Sequence, residues 1–284
     1  PVLELPDLQF QAGECWLVLG PNGAGKSTFL RHAAGQSTLH AATQPQRWRW
    51  QGSALPTWHD QAWAQQRAYL PQQHQLRSAL SVEAIVGMGA FPWQGSHRQL
   101  PTALAATLEQ WELDRLRQRP WTTLSGGEQQ RVQLARTALQ QALADPNKAR
   151  LWLLDEPLAA LDLRHQSVAL AAMQASAAAG ALVIASVHDI NAALAIASHV
   201  LVLAEGGVLW QGAVQAEAVR AALSEAYSLP LVWATWQQGD ASGQWLVPRP
   251  CGVYSLQRGD CSGEMRFAFA RIVYAELIAC VVSF

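Results

Sequence analysis

The stretch Cys15-Trp-Leu-Val-Leu-Gly20-Pro21-Asn22-Gly23-Ala24-Gly25-Lys26-Ser27-Thr28 decides how this chain is read. The apolar run Cys15 to Leu19 predicts a buried strand, and Ser27 to Ala34 predicts a helix. Between them, Gly20 to Ser27 has the spacing G-x-x-x-x-G-K-[ST], in the strand–loop–helix setting which that spacing requires. Its glycines let backbone N–H groups close around phosphate oxygens, aided by the positive end of the following helix. Lys26 would reach the β- and γ-phosphates, and the Ser27 hydroxyl would ligate Mg2+. The chain has only two lysines, Lys26 and Lys148, so a lysine at this position is not incidental. The loop therefore predicts a nucleoside triphosphate with Mg2+ as the ligand pair.

Downstream, Leu151-Trp-Leu-Leu-Asp155-Glu156 is an apolar strand ending in two carboxylates. A buried strand would deliver Asp155 to the carboxyl edge of a sheet, beside the phosphate loop, where it can hold Mg2+. Glu156, one residue on, is placed to polarise an attacking water. The segments around these motifs alternate. Trp48 to Gln51 and Ala68 to Leu70 read as strands and Gln61 to Gln66 as a helix. A helix to Ala179, the strand Ala181 to Val187, a helix from Ile190 to Ala197 and the strand Val200 to Leu203 follow Glu156. Glu205-Gly-Gly207 turns the chain into an antiparallel return, Val208 to Gln211. From Ser81 to Arg119 the pattern is helical, broken by Gly87, Gly89, Pro92 and Pro101, with Leu104, Leu108, Trp111 and Leu116 on one face. The expected architecture is a mostly parallel α/β sheet with a helical insertion.

A third motif, Leu124-Ser125-Gly126-Gly127-Glu128-Gln-Gln-Arg131, adds a second anion site. Ser125 is a natural N-cap, and Glu128 three residues on completes a capping box for a helix over Gln129 to Ala142. Ser125, Gly126 and Gly127 then present a bare helix N-terminus, which favours negative charge.

With these three motifs the chain resembles the ATP-binding-cassette ATPases, over about residues 2 to 248. The resemblance implies a P-loop NTPase fold of the RecA-like kind, with an inserted α-helical subdomain and an antiparallel β element. It implies an ATPase domain over 1–248, with its core in 1–72 and 150–248 and its helical subdomain in 73–149, and an atypical tail over 249–284. It also implies roles for further residues. Gln72, in Tyr69-Leu-Pro-Gln72, resembles the glutamine that senses Mg2+ and the membrane partner. Asp162, in Leu161-Asp162, resembles the D-loop, and His188, in Ser186-Val-His188-Asp189, the switch histidine at the γ-phosphate.

Within the family, thirty positions separate Ser125 from Asp155, more than in many members. The additional residues lie in Gln140 to Arg150 and are similar to an insertion in importers of cobalamin, haem and ferric siderophores. Arg67 to Gln72, Leu161 to Gln166 and Ala226 to Leu231 also resemble that group, with cobalamin as first choice from Leu161-Asp-Leu-Arg-His-Gln-Ser167 and the Glu205-Gly-Gly207 context, and haem and siderophores close behind. The implied assembly has two ATPase chains as a homodimer, two transmembrane permease chains and, indirectly, a periplasmic substrate-binding protein. It sits peripherally on the cytoplasmic face of the bacterial inner membrane. Two departures stand out. The adenine-stacking aromatic of the family's first strand would lie upstream of residue 1, and position 158 is Leu where Thr or Ser is common.

Composition limits the alternatives. Twenty basic against 21 acidic residues leave a formal net charge of −1, with no electrostatic reason to bind a nucleic acid. Charged residues make up only 14% and there are 13 tryptophans, which suggests a chain that docks on something. The four cysteines have no metal-ligand spacing, and no basic segment followed by an apolar one opens the chain, so it reads as cytosolic. Val168 to Val187 carries no charge for twenty residues, but Gly180 divides it into a helical half and a strand half. The tail gathers Cys251, Cys261 and Cys280 before the apolar stretch Phe267 to Phe284, which reads as an extra helix or a poorly ordered end rather than an anchor. The competing functions are a soluble cassette ATPase not coupled to transport and a catalytically impaired cassette fragment.

Overall fold

The computed structural model describes residues 3, 5–36, 48–72, 79–94, 97–238 and 241–249. The tail with Cys251, Cys261, Cys280 and Phe267 to Phe284 lies outside the described residues, as do residues 73–78, at which the helical subdomain is expected to begin. The first strand, β1 (Cys15–Leu19), is buried along its whole length. Cys15, Leu17 and Leu19 join one apolar layer, while Trp16 and Val18 join the other. Apolar residues on both faces of a strand are what a parallel sheet covered by helices demands. After the phosphate loop, α1 (Lys26–Ala33) buries Phe29, Leu30 and Ala33 on the Trp16 side. A two-stranded ribbon, β2 (Arg49–Trp50) and β3 (Ser53–Ala54), and α2 (Gln61–Gln66) lead to β4 (Arg67–Leu70).

The insertion follows. It comprises α3 (Val82–Gly87), a 3-10 segment (Met88–Trp93), α4 (Leu100–Gln110) and the long α5 (Gly126–Leu143). Pro101, expected to break the helical pattern, instead sits in the first turn of α4. A missing N–H costs nothing there, because first-turn donors have no helical partner. The capping box at Ser125 is present, so α5 starts at Gly126, three residues earlier than the apolar pattern suggests.

Beyond it come β5 (Leu151–Asp155), α6 (Leu163–Ala178), β6 (Leu182–Ser186), α7 (Ile190–Ile196), β7 (His199–Ala204), β8 (Gly207–Ala213) and α8 (Ala216–Ala226). The uncharged stretch at 168–187 is thus helix then strand. Among the described residues no helix is long and apolar enough to cross a membrane. The antiparallel hairpin β9 (Leu231–Gln238) and β10 (Ala241–Pro248) was not expected from the sequence. Alternating β-forming residues around Gly239-Asp240 are the signal that marks it.

The strand order is β4-β5-β6-β1-β7-β8, parallel except for β8. Helix α5 is fastened to this sheet by polar bonds as well as packing. The Trp152 indole N–H donates to Thr137 Oγ1 at 3.1 Å, and the Gln141 amide donates to the Leu151 carbonyl at 2.8 Å. Trp16, Trp63, Trp111, Trp121 and Trp152 are all buried, so much of the tryptophan content serves the core. Each large apolar side chain buried in this way contributes about 1.5–3 kcal/mol.

One consequence of the topology matters for chemistry. The carboxyl ends of β4, β5, β6 and β1 are side by side, with Asp155 and Val18 both in register with Ser186. In open α/β sheets ligands bind just outside such strand ends.

Candidate functional site

The chain leaves β1 at Gly20, where φ is +143° and an added Cβ would lie 2.0 Å from the Leu203 carbonyl oxygen of β7. Only glycine lets the loop turn so tightly against the sheet. Pro21, Asn22, Gly23, Ala24 and Gly25 complete the turn, with Asn22 and Gly23 exposed and Ala24 packed into the core. Lys26, Ser27 and Thr28 form the first turn of α1. The Lys26 side chain is buried, and its Nζ donates to the carbonyls of Gly20 at 2.7 Å and Pro21 at 3.0 Å. Burial holds the Lys26 ammonium below its ordinary pKa, while the carboxylates of Glu156 and Asp155 pull it back up.

Opposite the loop, β5 delivers Asp155 and Glu156. Asp155 is buried, and its Oδ1 accepts the Ser186 hydroxyl at 2.7 Å. The backbone N–H of Glu156 donates to Ser186 Oγ at 2.9 Å, so one hydroxyl from β6 steadies both acidic residues. The Glu156 side chain is the meeting point. Its Oε1 accepts the Gln72 amide at 2.8 Å, and the same oxygen is 2.7 Å from His188 Nε2. Gln72 follows β4 and His188 follows β6, the two strands flanking β5. The fold therefore brings together Lys26, Gln72, Asp155, Glu156 and His188, which are up to 162 positions apart.

Ser125, Gly126, Gly127 and Glu128 form a separate group at the start of α5. The Ser125 N–H donates to Glu128 Oε2 at 2.7 Å, and the Glu128 N–H donates to Ser125 Oγ at 3.3 Å. Gly127 lies against the turn that follows Glu156. Asp162 caps α6, accepting the His165 N–H at 2.9 Å. That bond and the His165 ring hold its carboxyl below the usual carboxylate range.

Sequence reasoning missed Ser186, which holds both acidic residues, and Tyr227. The Tyr227 phenol lies against the Gly20 backbone, and burial pushes its pKa up while the Gly20 bond opposes the rise. The signal for Ser186 was a lone hydroxyl at the end of the apolar strand Leu182 to Ser186. No local pattern points to Tyr227.

Comparison with known proteins shows the family. A family model described as ABC transporter matches residues 3–159. The chain is 37% identical to a Hemin import ATP-binding protein HmuV of Streptomyces coelicolor over 81% of this chain and 79% of that one. A protein of the same name from Pseudomonas fluorescens is 40% identical over 72% of this chain and 78% of its own length. Among solved structures, a chain of a metal-chelate type ABC transporter in an inward-facing conformation is 25% identical, with a TM-score of 0.64 over 84% of this chain and 88% of that one. In this chain a glycine loop that holds its own lysine faces two carboxylates at the carboxyl end of one strand, β5. The chain belongs to the ABC transporter family and is one of its ATP-binding, ATP-hydrolysing subunits.

Proposed function

We propose that this chain is the motor subunit of a bacterial inner-membrane importer for a metal chelate, with haem as the first cargo to test. The observation that carries the reading is the convergence of Gln72 and His188 on one oxygen of Glu156. A carboxylate held from two sides is oriented as a general base, taking a proton from the water that attacks the γ-phosphate. Lys26 and the loop N–H groups from Gly20 to Thr28 would hold the phosphates. His188 would contact the γ-phosphate, and Gln72 would report its state to a membrane partner.

The residues present fit a divalent cation. Asp155 Oδ2 is buried with no hydrogen-bond partner among the described residues, which is costly for a carboxylate oxygen unless a cation takes it. Ser27, Asp155 and Gln72 would hold Mg2+, which neutralises charge on the phosphates when bound. Ser125, Gly126, Gly127 and Glu128 would close on the nucleotide of a second copy, with Asp162 at the same interface. This makes a homodimer the working unit, seated on two permease chains and served indirectly by a periplasmic substrate-binding protein. The same reading takes 1–248 as the ATPase unit, places it peripherally on the cytoplasmic face of the membrane, and gives it no nucleic-acid partner.

The similarity to haem-import proteins supports haem ahead of cobalamin or a ferric siderophore. The test is purification from native membranes with whatever integral chain accompanies it, followed by reconstitution in vesicles. ATP turnover should rise with a haem-loaded binding protein. A response to cobalamin instead would reassign the cargo, and retrieval of no membrane chain would favour a soluble ATPase.

A further inference from the structure

The backbone around Glu156 is held in an unfavourable conformation. Glu156 has a φ of 54° and Ala160 a φ of 60°, two non-glycine residues in the left-handed region within one short turn. Each costs about 1–2 kcal/mol, and such residues persist only where their surroundings over-determine them. Ser186 holds the turn from one side, through the Glu156 N–H.

The other side is held by α5. The side-chain amide of Gln130 donates to the Glu156 carbonyl at 3.3 Å and to the Pro157 carbonyl at 3.1 Å. Farther along, the Gln166 amide of α6 donates to the Leu161 carbonyl at 3.2 Å. Two glutamine amides thus bracket the turn from Glu156 to Leu161. Contact is tightest at Gly127, where an added Cβ would lie 2.7 Å from the Ala160 carbonyl oxygen. Gln130 and Gly127 are three residues apart on α5, so they share a face, and that face is against the turn.

We propose that Gln130 is a positioning residue for Glu156, tying the Ser125–Gly127 end of α5 to the base of the same chain. The inference rests on the reading of Glu156 as general base. A displacement of the α5 N-terminus is carried to the Glu156 carbonyl through a bonded amide and a close packing contact. In a dimer with shared sites, engagement of nucleotide at one site would then adjust the base that serves the other.

The test uses Gln130→Met and Gln130→Glu, which keep the size of the side chain and remove the donor. Both should lower kcat roughly ten- to hundredfold, the scale of a misplaced reacting group, with KM for ATP within about twofold of wild type. Wild-type kcat in either folded variant overturns the proposal. So does an unchanged kcat with a raised KM, which would assign Gln130 to ATP binding. Should Gln130→Met fail to fold, Gln130→Glu decides. Failure of both to bind ATP also counts against a role confined to positioning. Glu156→Gln serves as the reference. If it still turns over normally, the base reading falls and the inference with it. If it is inactive while the Gln130 variants are not, the inference alone falls.

Discussion

His188 Nε2 stands 2.7 Å from Glu156 Oε1, though the two residues belong to different strand–turn units. The contact exists because β6 lies directly beside β5 and their carboxyl ends are in register. Gln72 reaches the same oxygen from β4 on the far side, so the carboxylate is fixed by its neighbours in the sheet rather than by its own strand.

Glu156→Gln should therefore leave ATP binding intact and slow hydrolysis by at least about a hundredfold, because an amide cannot take the proton of the attacking water. An ATP-dependent shift to dimer on a sizing column, with no phosphate release, is the expected result. Normal turnover would move the base elsewhere, with His188 the first residue to test.

Lys26→Ala should weaken ATP binding about ten- to hundredfold, from the loss of charge-assisted hydrogen bonds of ~1.5–3 kcal/mol. The side chain is buried against its own loop, and the only other lysine, Lys148, follows α5 and is not part of the loop. Calorimetric titration with ATP measures the loss directly. Affinity equal to wild type would remove the phosphate-loop assignment.

A mixed dimer tests whether sites are shared between chains. Lys26→Ala chains combined with Gly126→Asp chains, at a position where a side chain meets no neighbour, would place both lesions in one site and leave the other intact, whereas each parent dimer fails. One trapped ATP per verified mixed dimer is expected. None trapped would mean that each chain builds its own site.

The capping box carries a pH signature. The Ser125 N–H bond holds the Glu128 carboxyl below the ordinary range. A carboxyl whose folded pKa is depressed contributes stability above its unfolded pKa, and loses it as pH falls through the folded value. Glu128→Ala should cost about 1 kcal/mol at neutral pH. Denaturant titrations should show that difference shrinking below about pH 4. A difference that persists undiminished in acid would mean that packing, not the charged cap, accounts for it.

The local pieces were legible from the sequence because each rests on short-range physics. The apolar runs at 15–19, 151–154 and 182–185, the glycine spacing before Lys26 and the serine–glutamate pair at 125 and 128 announce a strand, a phosphate loop and a capped helix. Lys26, Asp155 and Glu156 could be named from those motifs alone. Gln72 and His188 needed the family resemblance, since a lone Gln or His after a strand has no distinctive pattern. The tertiary structure decided what meets what. That β1 lies between β6 and β7, that Ser186 bonds both acidic residues, and that Gln130 braces a left-handed Glu156 depend on strand order and register. Those are non-local choices, settled by how two apolar layers pack across one sheet, and a one-residue slip of β5 or β6 would turn that strand's side chains, Asp155 or Ser186 among them, to the other face.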